Sequence, residues 1–358
     1  MGVAVPRRAA LAAIIGAAAL PAACRRGDAA GKAGGGEVVL YSSADAEYAR
    51  GVIGAFEKRT GVRVRLVGDT EATKTTGLVQ RLLAEKDRPR ADVWWSSEAL
   101  GTVRLARAGV LEPYISDSAE SGARAQGLDG WPRRLRGVDG TWYGFAQRAR
   151  VIVYNINRVQ EHMAPRTAFA LTDPLHRGRV GIARPQFGTT RSHVAALVAR
   201  HGEGPVREWL RLMKQNEVRL YDGNMSVVRG VAQGEVDLGL TDTDDVWAGR
   251  RNGWPVSMVF EQPVKLPFGE TAGTLVIPNT VALVRGGPNP EAGRRLVDFL
   301  LSPEAERVLA ASESHNEPVN PDVARDFPQN DLPDGPGVLW EDVADAEELA
   351  MRLVEEEL

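Results

Sequence analysis

Alternation of short apolar strands with amphipathic helices constrains the fold of this chain more than any other feature. The strand EVVLYSS is followed by a segment whose apolar residues, such as Val52 and Phe56, recur at helical spacing until Gly61 supplies a stop signal. A second strand, a second helix and the strand ADVWWSS come next. Strands that alternate with helices in this way form largely parallel sheets with helices on their faces, so the predicted class is α/β.

The alternation continues from RARVIVYNI to VDLGLTD, and then through the extended segment TLVIPNTVALVRG and two short helices that Pro303 separates. The segment from Trp340 to the end predicts an acidic amphipathic helix that packs on the body. Ligands of open parallel sheets bind at the carboxyl ends of the strands. Hydroxyl and acidic side chains follow several predicted strands, which predicts a polar cleft there; they include Ser42, Ser43, Ser97, Glu98 and Asp242.

Residues 1–24 have the pattern of an export signal, with Arg7 and Arg8 ahead of an apolar run that ends at Cys24. The run is too short to span a bilayer comfortably, since a transmembrane helix needs roughly 20 apolar residues. Its ending, LPAAC, resembles the lipobox of bacterial lipoproteins, in which the cysteine is lipidated, although Pro21 stands where leucine is usual. Secretion with a free cysteine is the alternative. Residues 25–36 are polar and Gly-rich, which predicts a flexible tether.

Composition excludes several classes of protein. Cys24 is the only cysteine, so the mature domain has no internal disulfide, thiolate metal site or cysteine nucleophile. The formal net charge is −3, with both signs mixed along the chain, which gives no basic face for nucleic acid. The body is long for one core and suits two lobes. No GxSxG elbow, HExxH pair or phosphate-loop motif suggests an enzyme.

An ordered set of segments resembles the solute-binding proteins of bacterial ABC importers, in particular the branch that includes ferric-iron-binding proteins. The matching segments include VVLYSSADAEYARGVIGAFEKRTGVRV, RPRADVWWSSEALGTVRLARAGVLEPY, RPQFGTTRSH and NMSVVRGVAQGEVDLGLTDTDD. The resemblance extends to about residue 320. It implies a two-lobed type II periplasmic-binding fold, in which each lobe is a mostly parallel sheet flanked by helices. The implied lobes are 37–146 with 275–358, and 147–274, and the cleft between them closes on a ligand.

The turn RPQFGTTRSH is the clearest candidate for an anion site. Gly188 permits a tight turn, Thr189 and Thr190 offer hydroxyl and N–H donors, and a helix begins at once, so its positive end faces the ligand. The resemblance implies that this turn receives the anion that accompanies the metal in the iron-binding branch. An ordinary helix N-cap is the alternative.

Two further residues are placed at the cleft by the resemblance. Arg148 would pair there with an anionic ligand, with a surface ion pair as the alternative. Asn224 in YDGNMS follows a strand and precedes a helix, and it would reach the ligand unless it only forms the turn. Four tryptophans are expected to pack in the core, with cleft lining as the alternative: Trp94, Trp95, Trp142 and Trp247.

The segment LTDTDD raises the question of which cation is bound. The ferric-binding proteins that it resembles end this segment in two tyrosines, and here Asp244 and Asp245 occupy those positions. Glu98 matches a glutamate that some members use, so the predicted metal set is Glu98, Asp244 and Asp245. The family's histidine after the first strand is absent, and Asp45 or Glu47 is the expected substitute. Carboxylates suit Ca²⁺, Mg²⁺, Mn²⁺ or Fe³⁺; helix capping and dipole stabilisation are the alternative role for the aspartates.

The predicted function is that of a solute-binding lipoprotein of an ABC importer that captures iron(III) or another metal with an anion and delivers it to an inner-membrane permease. An organic zwitterion such as an aminophosphonate is the alternative ligand. A metal-dependent hydrolase and a ligand-sensing receptor are alternatives of another class. We expect no catalytic cofactor, a monomer, and a periplasmic or cell-surface location with a lipid anchor at Cys24.

Overall fold

The computed structural model describes residues 36–69, 75–126, 129–266, 271–333 and 337–358. The α-helices are α1 (Ala46–Thr60), α2 (Thr76–Ala84), α3 (Leu100–Arg107), α4 (Asp117–Ala125), α5 (Gly188–His201), α6 (Glu203–Gln215), α7 (Asn224–Gln233), α8 (Thr243–Arg251), α9 (Pro290–Leu300), α10 (Pro303–Ala310), α11 (Pro321–Ala324) and α12 (Trp340–Glu357). The strands are β1 (Glu37–Ser42), β2 (Arg63–Gly68), β3 (Val93–Ser96), β4 (Leu111–Glu112), β5 (Tyr143–Asn155), β6 (Val180–Ala183), β7 (Arg219–Tyr221), β8 (Leu238–Asp242), β9 (Val256–Phe260), β10 (Val264–Lys265), β11 (Thr271–Ala272) and β12 (Val276–Val284). The predicted signal segment, residues 1–24, and residues 25–35 of the predicted tether lie outside the described residues.

Local signals in the sequence explain the helix boundaries. In α1 the buried residues Val52, Ile53 and Phe56 form one apolar face. The helix ends at Gly61, whose φ of 69° lies in the left-handed region that glycine adopts without strain. Gly234 ends α7 in the same way, with a φ of 73°. The stop at Gly61 was predicted from the sequence.

One ten-stranded sheet runs through the molecule in the order β2-β1-β3-β12-β5-β8-β6-β7, with β4 added to β12 and β9 added to β5. The pairs among β2, β1 and β3 are parallel, as are those among β7, β6 and β8. We call the part built around β1 to β4 the first lobe and the part built around β6 to β9 the second lobe. The α/β class is as predicted.

The two long strands β5 and β12 depart from the predicted parallel arrangement. Residues 143–149 of β5 pair antiparallel with β12, whereas residues 150–155 pair antiparallel with β8 and β9. Every residue of β5 is buried. The strand therefore leaves one lobe and enters the other between Ala149 and Arg150, which brings its arginines to the boundary between the lobes.

Helices cover both faces of the sheet. On one face of the first lobe, α1, α9 and α10 enclose a cluster that contains Phe56, Trp95 and Leu296. In the second lobe, α7 and α8 cover the cluster around Val153 and Val227. The remaining cluster extends through both lobes and includes residues of α3, α5, α6 and α12. Burial of these apolar side chains is the main stabilising contribution to the fold.

The C-terminal helix α12 packs against α5 and α6 of the second lobe and also against α3 of the first. Its Glu347 accepts hydrogen bonds from Arg191 at 2.6 Å and from Arg104 at 3.4 Å. The helix thus contacts the second lobe extensively, although its residues fall in the range predicted for the first. No helix within the described part of the chain is long and apolar enough to cross a membrane.

Candidate functional site

A cleft lies where the carboxyl ends of β1, β3, β6 and β8 approach one another, as expected for sheets of this kind. The first lobe contributes the segment after β1, the end of β3, and residues of β12 and of the loop after α10. The second lobe contributes the N-terminal turns of α5, α7 and α8. Residues that line the cleft include Asp45, Tyr48, Trp95, Ser97, Arg148, Gly188, Thr189, Thr190, Asn224, Asp242, Asp244, Asp245, Asn279, Ser314 and Asn316.

Asp242 is the centre of a buried network at the base of the cleft. Its carboxylate accepts hydrogen bonds from Arg150 Nη1 at 2.8 Å and from Arg148 Nε at 3.2 Å. Burial alone would oppose ionisation, but the two guanidinium groups outweigh it and lower the pKa of Asp242 to about 2. Asp242 is therefore ionised at neutral pH, and its charge is balanced by neighbouring cations.

The predicted anion turn joins the same network. Gly188 has a φ of 54°, and open space surrounds the position that a Cβ would occupy there. The Thr189 hydroxyl donates to Asp242 at 2.7 Å, and the Asn224 amide donates to Asp242 at 3.0 Å. Helices α5, α7 and α8 all begin in this wall, so the positive ends of their dipoles face the cleft.

Asp244 and Asp245 lie in the first turn of α8. One carboxylate oxygen from each of Asp242, Asp244 and Asp245 lies within 4.8 Å of the other two. Arg148 Nε is 3.6 Å from Asp244, and the Thr241 hydroxyl donates to Asp245 at 3.1 Å. Asp242 occupies the N-cap position of α8, but its side chain makes no capping hydrogen bond. Capping therefore does not account for Asp242, while the first-turn positions of the other two aspartates complement the helix dipole.

Tyr48, which the sequence analysis assigned only to the helix after β1, lies in the facing wall of the first lobe. Burial and the carboxylates of Asp244, Asp45 and Asp245 raise the pKa of its phenol, so it is protonated at neutral pH. The interaction indicates that the two walls bring Tyr48 and Asp45 close to the acidic turn of α8. Tyr48 lies in the first turn of the helix that follows β1. This position, close to the carboxyl end of a strand, is the sequence signal that could have identified it as a cleft residue.

Glu98 is separate from the acidic cluster, so the predicted metal set of Glu98, Asp244 and Asp245 is not brought together. Its carboxylate accepts the N–H groups of Leu100 at 2.6 Å and Gly101 at 2.9 Å, and also the Ser192 hydroxyl at 2.8 Å. Burial raises the pKa of Glu98. Glu98 thus caps α3 and connects it to α5.

The predicted serines divide between the cleft and the structure behind it. Ser97 lines the cleft, and its carbonyl accepts a hydrogen bond from Arg148. Ser43 accepts the Ser97 N–H at 3.0 Å, and Ser42 accepts the Ala44 N–H at 3.1 Å. Ser42 and Ser43 therefore hold the loops of the first lobe in place and do not line the cleft.

The tryptophans are mainly packing residues. Trp94 and Trp142 are buried in the core. Trp95 also reaches the cleft, and its indole N–H donates to Asn279 at 3.1 Å. Trp247 packs on the His315 ring. Asn279, Ser314 and Asn316 were missed by the sequence analysis, because their place in the cleft depends on chain segments far apart in sequence.

A two-lobed α/β fold with a polar cleft between the lobes is typical of proteins that bind small solutes. Over residues 103–339 the chain matches the family described as bacterial extracellular solute-binding protein, and it belongs to that family. The family consists of solute-binding transport proteins rather than enzymes, as predicted.

Two individual proteins are similar to this chain over most of its length. The chain is 30% identical to iron uptake protein A1 of Synechocystis over 277 residues, which are 76% of this chain and 73% of that protein. It is 26% identical to the major ferric iron-binding protein of Neisseria meningitidis serogroup B over 291 residues, 81% of this chain and 83% of that one.

Solved structures confirm the type II periplasmic-binding fold. Iron-bound HitA from Pseudomonas aeruginosa has a TM-score of 0.75 and 22% identity, covering 90% of this chain and 99% of its own. The Trichodesmium FutA structure in complex with iron and citrate has a TM-score of 0.72 and 24% identity, with the same coverage. At these identities the likeness supports the fold alone.

Proposed function

We propose that this protein captures ferric iron together with an anion in the cleft and delivers it to an ABC permease. The observation that carries the proposal is the group of carboxylates at the start of α8. One carboxylate oxygen from each of Asp242, Asp244 and Asp245 lies within 4.8 Å of the other two. Carboxylate oxygens are hard donors, which hard cations prefer. The names of the relatives, which describe iron uptake and ferric iron binding, favour iron among these cations.

The charges assign different roles to the aspartates. Asp242 is neutralised by two guanidinium groups and supports the wall. Asp244 and Asp245 are the metal ligands from the second lobe. Asp45 and Tyr48 approach from the first lobe and complete the site. Because a ligand shared by both walls binds the closed state better than the open one, iron favours closure.

The anion would occupy the part of the cleft in front of α5 and α7. Gly188 leaves room there, and Thr190 lines the same surface. Backbone N–H groups and the helix dipole favour a negative ligand at such a position. A citrate-like carboxylate suits this role, since the Trichodesmium structure contains iron and citrate.

A second candidate ligand follows from the separation of charge within the cleft. The aspartates of α8 form an acidic end, whereas the N-termini of α5 and α7 form an end that attracts anions. An aminophosphonate zwitterion carries an ammonium group and an anionic group that match these two ends. Aromatic side chains that line the cleft, among them Trp95 and Phe187, would contact its carbon chain.

Titration of the purified protein with ferric citrate, Mn²⁺, Ca²⁺ and 2-aminoethylphosphonate distinguishes the candidates. We expect tight binding of ferric iron and a loss of about 100-fold or more in the double variant Asp244→Asn/Asp245→Asn, since even partners behind a metal's ligands are worth about 10- to 100-fold. The variant Asp139→Asn removes an exposed carboxylate from a remote turn and should bind normally. Binding of the phosphonate alone would support the second candidate. Unchanged iron affinity in the double variant would refute the assignment of Asp244 and Asp245.

We further propose that the chain is exported, lipidated at Cys24 and held as a monomer near its permease. The export-signal pattern and the LPAAC ending support this proposal. The periplasmic Fe(3+)-binding protein of Serratia marcescens, 29% identical over 205 residues, supports a location outside the inner membrane. Labelling with a radioactive fatty acid tests lipidation: label should enter the wild-type protein and be absent from Cys24→Ser. Equal labelling of both would refute the anchor.

A further inference from the structure

Trp247 of the second lobe stacks on His315 of the first lobe beside the cleft. The ring centroids are 4.6 Å apart and the planes are inclined by 36°. The Arg250 guanidinium also lies over the Trp247 ring, 4.8 Å from its centre. The indole and the imidazole thus form a stack that crosses from lobe to lobe, and Arg250 adds a cation at the indole from the same helix. Contacts of both kinds are attractive beyond simple area burial.

His315 is held in position for this contact. Its φ of 48° is uncommon for a residue with a side chain, and such strained conformations persist only where the surroundings enforce them. Its Nδ1 is 3.1 Å from the side-chain oxygen Oδ1 of Asn330, while the side-chain amide of Asn330 donates to the backbone carbonyls of Ala310 and Asn316. The histidine ring is therefore fixed against Trp247.

Both halves of the stack are linked to residues that line the cleft. Trp247 lies on α8, two residues after Asp245. His315 stands between Ser314 and Asn316, which line the cleft from the first lobe. Separation of the two rings would therefore move cleft-lining groups of both lobes apart.

Ion pairs lie outside the stack. Arg251 is 3.3 Å from Glu313 and 4.0 Å from Glu47, so it also connects the lobes. These side chains are largely exposed, and exposed ion pairs contribute little. The rings thus provide the stronger connection at this edge.

We propose that Trp247 and His315 form a clasp that holds the lobes together at this edge, in the free as well as the loaded protein, and slows release of the bound solute. The inference rests on the proposed capture of a ligand in the cleft. The clasp does not contact the ligand; it acts by stabilising the closed state, so its loss should increase the dissociation rate more than it changes the association rate.

A double-mutant cycle tests the clasp. Protein loaded with ferric citrate is mixed with a strong chelator, and the rate of iron release is measured for wild type, Trp247→Leu, His315→Asn and the double variant. Asparagine tolerates positive φ and lacks the ring. We expect each single variant to release iron about three- to ten-fold faster. The double variant should be no faster than the singles, because either change already removes the stack. Trp254→Leu, a control in the turn that follows α8, should leave the rate unchanged.

A second measurement needs no iron and separates failure of the clasp from failure of the proposed function. The His315 N–H donates to the Ser312 carbonyl at 3.1 Å, and its hydrogen exchange reports whether this loop is held. Exchange should be faster in Trp247→Leu than in wild type or Trp254→Leu. If wild type binds no iron but this difference appears, the clasp stands and the ligand is wrong. Unchanged exchange in the free protein together with unchanged iron release would overturn the clasp.

Discussion

Replacement of Glu261 by glutamine should remove a large pH dependence of stability. Glu261 follows β9, and its carboxylate is buried, with 5% exposure. It accepts the Ala168 N–H at 2.6 Å, and its other oxygen lies 3.7 Å from His193 Nε2. Burial raises the pKa of Glu261 to about 7, although the Ala168 hydrogen bond and the charges of Arg150 and Arg200 oppose the shift.

The size of the effect follows from the difference between the folded and unfolded pKa. The ordinary value is 4.5, so the folded protein keeps the proton over a range in which the unfolded chain has released it. The stability associated with this proton is fully present below pH 4.5 and is lost as the pH rises through about 7. Between pH 5 and pH 8 the loss amounts to about 2 to 3 kcal/mol, at about 1.4 kcal/mol for each pKa unit.

Glutamine preserves the shape of the group without its titration. Its oxygen can accept the Ala168 N–H, and its NH₂ faces the neutral His193 ring, whose pKa is held low by burial and by nearby arginines. The free energy of unfolding, measured by urea titration at several pH values, should therefore fall with pH less steeply in Glu261→Gln than in wild type. Glu348→Gln, at an exposed position of α12, is the control and should follow wild type. Parallel curves for wild type and Glu261→Gln would refute the reasoning.

Four further substitutions test the site, the sheet and helix α1. Asp242→Asn leaves the buried Arg150 without its counter-charge and removes one of the two carboxylates beside the buried Arg148, so it should lower the free energy of unfolding in urea by about 3 to 5 kcal/mol; a loss below about 1 kcal/mol would contradict the network. In Gly239→Ala the new Cβ would lie 2.5 Å from Val227 and 2.9 Å from a neighbouring backbone oxygen, so urea unfolding should show a loss of about 1 to 3 kcal/mol. Gly54→Ala, in an open part of α1, should instead gain about 0.5 to 1 kcal/mol. Tyr48→Phe should keep the fold and weaken ferric-citrate binding about ten-fold in calorimetry, and equal affinity would remove Tyr48 from the proposed site.

Most helices and strands could be predicted from local signals in the sequence, whereas the pairings between distant strands could not. The stop at Gly61 and the break at Pro303 depend on neighbouring residues only, and both occur as predicted. The antiparallel pairing of β5 with β12 joins segments more than 100 residues apart, and nothing local specifies it. The same limit explains the missed role of Arg150. The register of β5 on β8 places Arg150 opposite Asp242, so their ion pair exists only in the assembled sheet.

Several residues that were predicted to contact the ligand line the cleft but also have a structural role there. Arg148, Thr189 and Asn224 were expected to contact the ligand, and they line the cleft. Each also binds Asp242, which is therefore the centre of the wall. Glu98 follows a strand end but turns to the N–H groups of α3. An acceptor placed just ahead of a helix is a capping signal, and this signal could have identified its role from the sequence.

The charge distribution links ligand binding to closure. Arg148 and Arg150 contact Asp242, and Arg148 also lies 3.6 Å from Asp244. Asp244 and Asp245 line the cleft from the second lobe, and Asp45 lines it from the first. As the lobes approach, these carboxylates come closer together and repel one another, and the low dielectric of the closing cleft strengthens that repulsion. A bound cation reverses the sign of the interaction, since each carboxylate then attracts it. In the empty cleft this repulsion works against the ring contact between Trp247 and His315, which holds the lobes together, and once a cation has entered both effects favour closure. The proposed delivery to a permease requires this dependence of closure on the ligand, because the permease would have to distinguish loaded from empty protein.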